Sequence, residues 1–163
     1  MGTAWQRLRK GNRMTRTFTS LPEVKAALGE ELGPTEPLVI AQERITAFAD
    51  ATGDHQWIHV DPERAASGPF GTTIAHGYLT LSLLPHFGQQ LFRLEFGTAR
   101  INYGLNKVRF PVPVPVGSTV RAKATFVDLR EGAAGATLTT RYVVELDGAA
   151  KPACVAESLV LLS

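Results

Sequence analysis

Residues 76–92 constrain this chain more than any other stretch. Tyr78, Leu79, Leu81, Leu83, Leu84, Phe87, Leu91 and Phe92 recur at helical spacing, but they run almost all the way round the helix. Each large apolar side chain left in water forgoes roughly 1.5–3 kcal/mol of burial free energy. Such a helix has to be wrapped. Pro85 lies inside the run and is expected to kink or split it, because its ring clashes with the preceding turn. The run falls short of the roughly 20 apolar residues of a membrane span.

The wrapping comes from the second half, where the apolar period changes from helical to two. Val108, Phe110, Val112 and Val114 alternate with Lys107, Arg109, Pro111 and Pro113 over 107–114, and the prolines point to a strand end or a sheet edge. Val120, Ala122, Ala124 and Phe126 alternate with polar residues over 119–126, and the phase shifts at Phe126-Val127, as a bulge would produce. Residues 136–147 alternate again, Asp147-Gly148 signals a turn, and 151–162 read as a last, central strand apolar on both faces. The sum is α+β: an antiparallel sheet with one buried helix against its concave face. One sheet covers only part of so apolar a helix, so a second subunit is expected to cover the rest.

The first half supplies shorter helices. Ser20-Leu21-Pro22-Glu23 reads as a helix start, with an end near Gly33-Pro34. Leu38-Val39-Ile40 is a short strand. Residues 42–51 place Ile45, Phe48 and Ala49 on one helical face, with Gly53 as terminator. Asp61-Pro62 caps another short helix, which Gly68, Pro69 and Gly71 break.

At 163 residues the chain reads as one domain over 18–163, preceded by a basic extension over 1–17. That extension carries Arg7, Arg9, Lys10, Arg13 and Arg16 and no acidic residue, which leaves 12 basic against 15 acidic residues in the rest. The body is therefore mildly acidic, and neither nucleic acid nor a membrane is an expected partner. Cys154 is alone, so no internal disulfide forms, which suits a cytoplasmic location.

The chemistry concentrates in 52–61, Thr-Gly-Asp-His-Gln-Trp-Ile-His-Val-Asp. Asp54 and His59 are a carboxylate and an imidazole that could hold one water and move its proton. Read blandly, Asp54 caps a turn and His59 is a satisfied core histidine. His55 and His59 stand four apart beside Asp54 and Asp61, but Gly53 and Pro62 disfavour the helix that a shared metal would need, so no metal is expected. His76-Gly77 opens the apolar helix. Its free amides could receive a developing negative oxygen, and Gly77 lets a ligand approach the backbone. Equally, Gly77 could serve only close packing, and His76 could be a cap or a core polar residue. Lys107 and Arg109 could meet phosphates, or simply be a solvated strand face.

Two blocks, Gly53-Asp54-His55-Gln56-Trp57-Ile58-His59-Val60-Asp61-Pro62 and Gly71-Thr72-Thr73-Ile74-Ala75-His76-Gly77, resemble the MaoC-like dehydratases. This family contains the (R)-specific enoyl-CoA hydratases, and the wording is nearest its nodulation-protein-N branch. The resemblance implies a hot-dog fold, a helix wrapped by an antiparallel sheet, usually as a homodimer. It also implies that Asp54 and His59 hold the catalytic water and that the Gly77 N–H receives the thioester oxygen of an acyl-CoA substrate, with no redox cofactor and no metal. Gln56-Trp57 departs from the more usual Asn-Pro, which makes both candidates for substrate contact. Where many hydratases carry a serine in the central helix this chain has Pro85, with Ser82 nearby but not equivalent. A thioesterase on the same fold, or a non-catalytic acyl-binding subunit, are the alternatives.

Overall fold

The computed structural model describes residues 15–163. In chain order these form β1 (Arg16–Phe18), α1 (Leu21–Ala26), β2 (Glu31–Leu32), β3 (Leu38–Val39), α2 (Gln42–Thr52), α3 (Trp57–Val60) and α4 (Pro62–Ala66). Next come α5 (Gly77–Ser82), α6 (Leu84–Leu91), β4 (Phe92–Leu94), β5 (Arg100–Arg109), β6 (Thr119–Gly132), β7 (Gly135–Leu146) and β8 (Cys154–Leu162). Most of the expected basic extension lies outside the described residues. Arg16 and Thr17, at its inner end, open β1.

The main sheet runs β2-β6-β7-β8-β5, with β3 also pairing β6. Its pairs are antiparallel. In β6, Val120, Ala122, Ala124 and Phe126 turn inward and are buried. Ala122 and Ala124 are small enough to admit α6 closely, which buries Leu84, Phe87, Gly88 and Leu91. The phase shift read at Phe126-Val127 is a real irregularity: the β6–β7 register steps from Phe126↔Thr140 to Asp128↔Thr139. β8 lies between β7 and β5, the interior place expected of it.

The apolar run does form the helix against the sheet, divided at Leu83 with Pro85 in the first turn of its second half. Three expectations change. The helix stops at Leu91, because Phe92 enters β4, pairs in parallel with β1 and meets Phe126 edge-on at 4.9 Å, as Phe18 does at 5.3 Å. The sheet covers only part of the helix within one chain, as expected, and Tyr78, Ser82, Pro85, His86 and Gln89 face out. α1 ends at Ala26, since Gly29 takes a positive φ of 84° and Glu31–Leu32 leave to pair with β6. Finally, β5 ends at Arg109, before Pro111, and β8 starts only at Cys154. β5 is an edge strand, at the end of the sheet opposite β2 and β3, and is exposed along almost its whole length. Among the described residues no helix is long and apolar enough to cross a membrane.

Candidate active site

The site is built where α2 ends. Gly53 takes the left-handed conformation (φ 78°), and its N–H closes on Ala49 O at 2.8 Å. The chain then reverses and presents Asp54 at the surface. The Gln56 N–H donates to Asp54 Oδ1 at 3.4 Å, a local turn bond that holds the carboxyl beside the start of α3. α3 is one turn long, and Asp61 caps α4 after it by accepting from the Arg64 N–H at 3.0 Å.

His59 points inward from α3 and is 6% exposed. Its Nδ1 lies 2.7 Å from Ile74 O. A carbonyl can only accept, so Nδ1 carries the hydrogen and Nε2 keeps its lone pair. Burial is the largest influence on this imidazole and pushes its pKa below the usual value, with the Ile74 bond opposing. Burial thus favours the neutral imidazole, the form that accepts a proton.

The strip carrying Ile74 is tied on both sides. Ile74 N–H donates to Ile58 O at 3.0 Å and Ala75 N–H to Val114 O at 2.8 Å. Gln42, the first residue of α2, clips the pieces together: its Nε2 donates to His59 O at 2.8 Å, and its Oε1 accepts from Thr73 Oγ1 at 2.6 Å. No sequence signal marks Gln42, because the bond depends on chain segments that meet only in the fold.

His76, just before α5, completes the group at 3% exposure. Its Nε2–H donates to the backbone oxygen of Asp54 at 2.9 Å. Its ring stacks on His59, centroids 3.8 Å apart and planes at 23°, and Phe48 lies 4.9 Å away. Asp54, His59 and His76 each bring one side-chain ligating atom within 4.8 Å of the others. A metal lies in the plane of each imidazole it binds, about 2.0–2.1 Å from nitrogen. Two rings stacked in nearly parallel planes do not aim at one point, so this trio is a poor ion cage. His55 is not part of it, since its Nε2 pairs with Asp50 Oδ1 at 2.9 Å on the outside.

The other candidates fall around this centre. Gly77 opens α5. A Cβ there would come within 2.9 Å of the Phe110 ring, so only glycine fits unstrained, and the end of β5 with Lys107 and Arg109 is brought to the start of α5. Both cations are exposed, and Arg109 Nη1 donates to Val108 O at 2.7 Å. Gln56 is exposed. Trp57 is engaged by α4 and the turn after it: Arg64 stacks on its ring at 4.4 Å, and the ring fills the space beside Gly68. A cavity of about 1360 Å³ opens further along, lined among others by Leu81, Ser82, Gly88, Leu138 and Tyr142.

Residues 23–147 match the family model described as "MaoC like domain". The chain belongs to the MaoC-like dehydratase family. A MaoC-like dehydratase is a hydro-lyase with the hot-dog fold, and this chain is such an enzyme. It is 59% identical over 148 residues to 3-hydroxyacyl-thioester dehydratase Z of Mycobacterium tuberculosis, covering 89% of this chain and 97% of that one. It is 43% identical to nodulation protein N of Rhizobium leguminosarum, with 88% and 91% covered. Among solved structures, the (R)-hydratase of Aeromonas caviae superposes with a TM-score of 0.66 at 32% identity, covering 83% of this chain and 96% of that chain.

Proposed function

We propose that this MaoC-like dehydratase adds water across the double bond of trans-2-enoyl-CoA thioesters to give (R)-3-hydroxyacyl-CoA, and catalyses the reverse elimination. The observation that carries the reading is the convergence of Asp54 and His59, with the His59 tautomer fixed by Ile74 O. In this reading one water donates one hydrogen to the Asp54 carboxylate and the other to His59 Nε2. Its oxygen attacks C3 while Nε2 takes the proton, and electron density moves to the thioester oxygen. The Gly77 N–H receives that oxygen, a contribution of about 3 kcal/mol for one well-placed donor. His59 then returns the proton to C2. Atoms and charge balance without a redox cofactor or a metal. The (R) outcome and the thioester substrate are carried over from the names of the relatives above.

Leu81 and Ser82 lie four and five residues past Gly77, about 6–8 Å along the helix at 1.5 Å per residue, and they line the inner end of the cavity, on the acyl side of the site; its outer wall, with Tyr103 and Leu105 of β5, falls to the second copy described next. Gln56, Trp57, Lys107 and Arg109 remain candidates for substrate contact, the two cations toward the phosphates of CoA. The functional unit is a homodimer joined through β5. That edge exposes Ile101, Tyr103 and Leu105, with Phe110 and Tyr78 beside them, and a second copy would also cover the outer face of α5 and α6.

Crotonyl-CoA tests the reading. Loss of enoyl absorbance with no free thiol, giving the (R) product, is expected. Release of thiol at the rate of substrate loss would make the protein a thioesterase, and no turnover on a series of chain lengths would leave it a binding subunit.

A further inference from the structure

His76 is dispensable to the water-holding pair as proposed, yet it is built into both halves of it. Its Nε2–H donates to the Asp54 carbonyl across 22 residues of sequence, and its ring lies against the face of His59. It is also an expensive way to fill space. Its Nδ1 is buried with no hydrogen-bond partner among the described residues. Burying a polar atom unpaired costs stability, and an apolar ring of the same shape would avoid that cost. A residue placed only for packing has no need of the Nε2 bond either, because the ring already packs on the face of His59 and against Phe48.

What that bond fixes is the Asp54 backbone. Asp54 follows the left-handed Gly53, its side chain is exposed, and among the described residues its carboxyl has only the long local bond from Gln56 N–H to steady it. Loop residues of this kind sample several orientations unless something ties them down. We propose that His76 is a positioning residue for this reaction: its Nε2–H anchors the Asp54 carbonyl so that the carboxyl stays turned toward the His59 imidazole. The inference rests on the Asp54–His59 reading of the site.

Two substitutions separate donor from ring. His76→Phe keeps an aromatic ring against His59 and loses the donor, whereas His76→Gln keeps an amide N–H at the place of Nε2 and loses the ring. With crotonyl-CoA, His76→Phe is expected to lower kcat tenfold or more, with KM within twofold and the melting temperature unchanged or raised. His76→Gln is expected to retain kcat within about threefold. A purely structural role would instead lower the melting temperature in both variants and leave the kcat of the folded fraction intact. Wild-type kcat in His76→Phe, beside slow Asp54→Asn and His59→Gln enzymes, would overturn the inference and spare the reading beneath it. Fast Asp54→Asn and His59→Gln enzymes would remove the reading itself. Should His76→Phe fail to fold, His76→Leu, which also lacks the donor, takes its place beside His76→Gln: a tenfold lower kcat in the former with kcat near wild type in the latter supports the anchor, and equal rates in the two refute it.

Discussion

The rim over residues 54–77 and the long strands β6, β7 and β8 are held together by opposite means. The strands pair residue by residue from Val120↔Leu146 to Gly132↔Gly135, and their inner faces join the apolar core. The rim has only short helices and is wired by single long-range bonds: His59 to Ile74 O, His76 to Asp54 O, and Gln42 to both His59 O and Thr73. The contrast bears on where the proposed chemistry would sit. The ladder is tied by backbone pairs, whereas in the rim side chains carry the ties, and Asp54 and His59 bring side-chain ligating atoms within 4.8 Å of one another. Stability should therefore reside in the strands and turnover in the rim, and substitutions can pull the two apart.

The largest effect on the strand side is expected from Phe126→Ala. Phe126 is fully buried between Phe18 and Phe92. Losing it should cost about 3–5 kcal/mol of stability, read by denaturant unfolding, with kcat per folded molecule unchanged. On the rim side His59→Gln should do the reverse, lowering kcat by about 10²–10⁴ with little change in melting temperature. Gly77→Ala should lie between. The new methyl meets the Phe110 ring, which is partly exposed and can yield, so a tenfold loss of kcat is expected with little unfolding. Adding Phe110→Ala should restore part of it.

The smallest effect is on pH. The folded pKa of His59 is depressed by burial, so the folded protein binds fewer protons than the unfolded chain just below the usual histidine value. Stability from this group is complete above about 6.5 and is lost as pH falls through the depressed value. The acid limb of kcat/KM should fall in the same window. His55 is shifted upward, chiefly by its hydrogen bond to Asp50, and lies outside the rim wiring. His55→Gln should leave that limb in place.

Legibility in the sequence follows the same division. Local chemistry announces itself: Ser20 and Asp61 cap helices, Gly53 terminates one, Pro85 divides the apolar helix, and the phase shift after Phe126 marks the bulge. Each of these features is decided by neighbours within a few residues. The parallel pairing of β1 with β4 is not, since it joins segments over 70 residues apart through three residues each. Asp54 and His59 were visible as a pair because they stand five apart. Gln42 and the anchoring bond of His76 were not, because each joins segments that the fold alone brings together. The half-open outer face of α5 and α6 shows the same limit: periodicity reports that a face is apolar, not which chain covers it.

The most direct test asks whether Asp54 and His59 act on one water. Turnover of crotonyl-CoA by Asp54→Asn, His59→Gln and the double variant forms a closed cycle. Groups that serve the same molecule fail together, so the double variant should be about as slow as the slower single one. Losses that multiply would mean that the two side chains act independently, and would contradict the account.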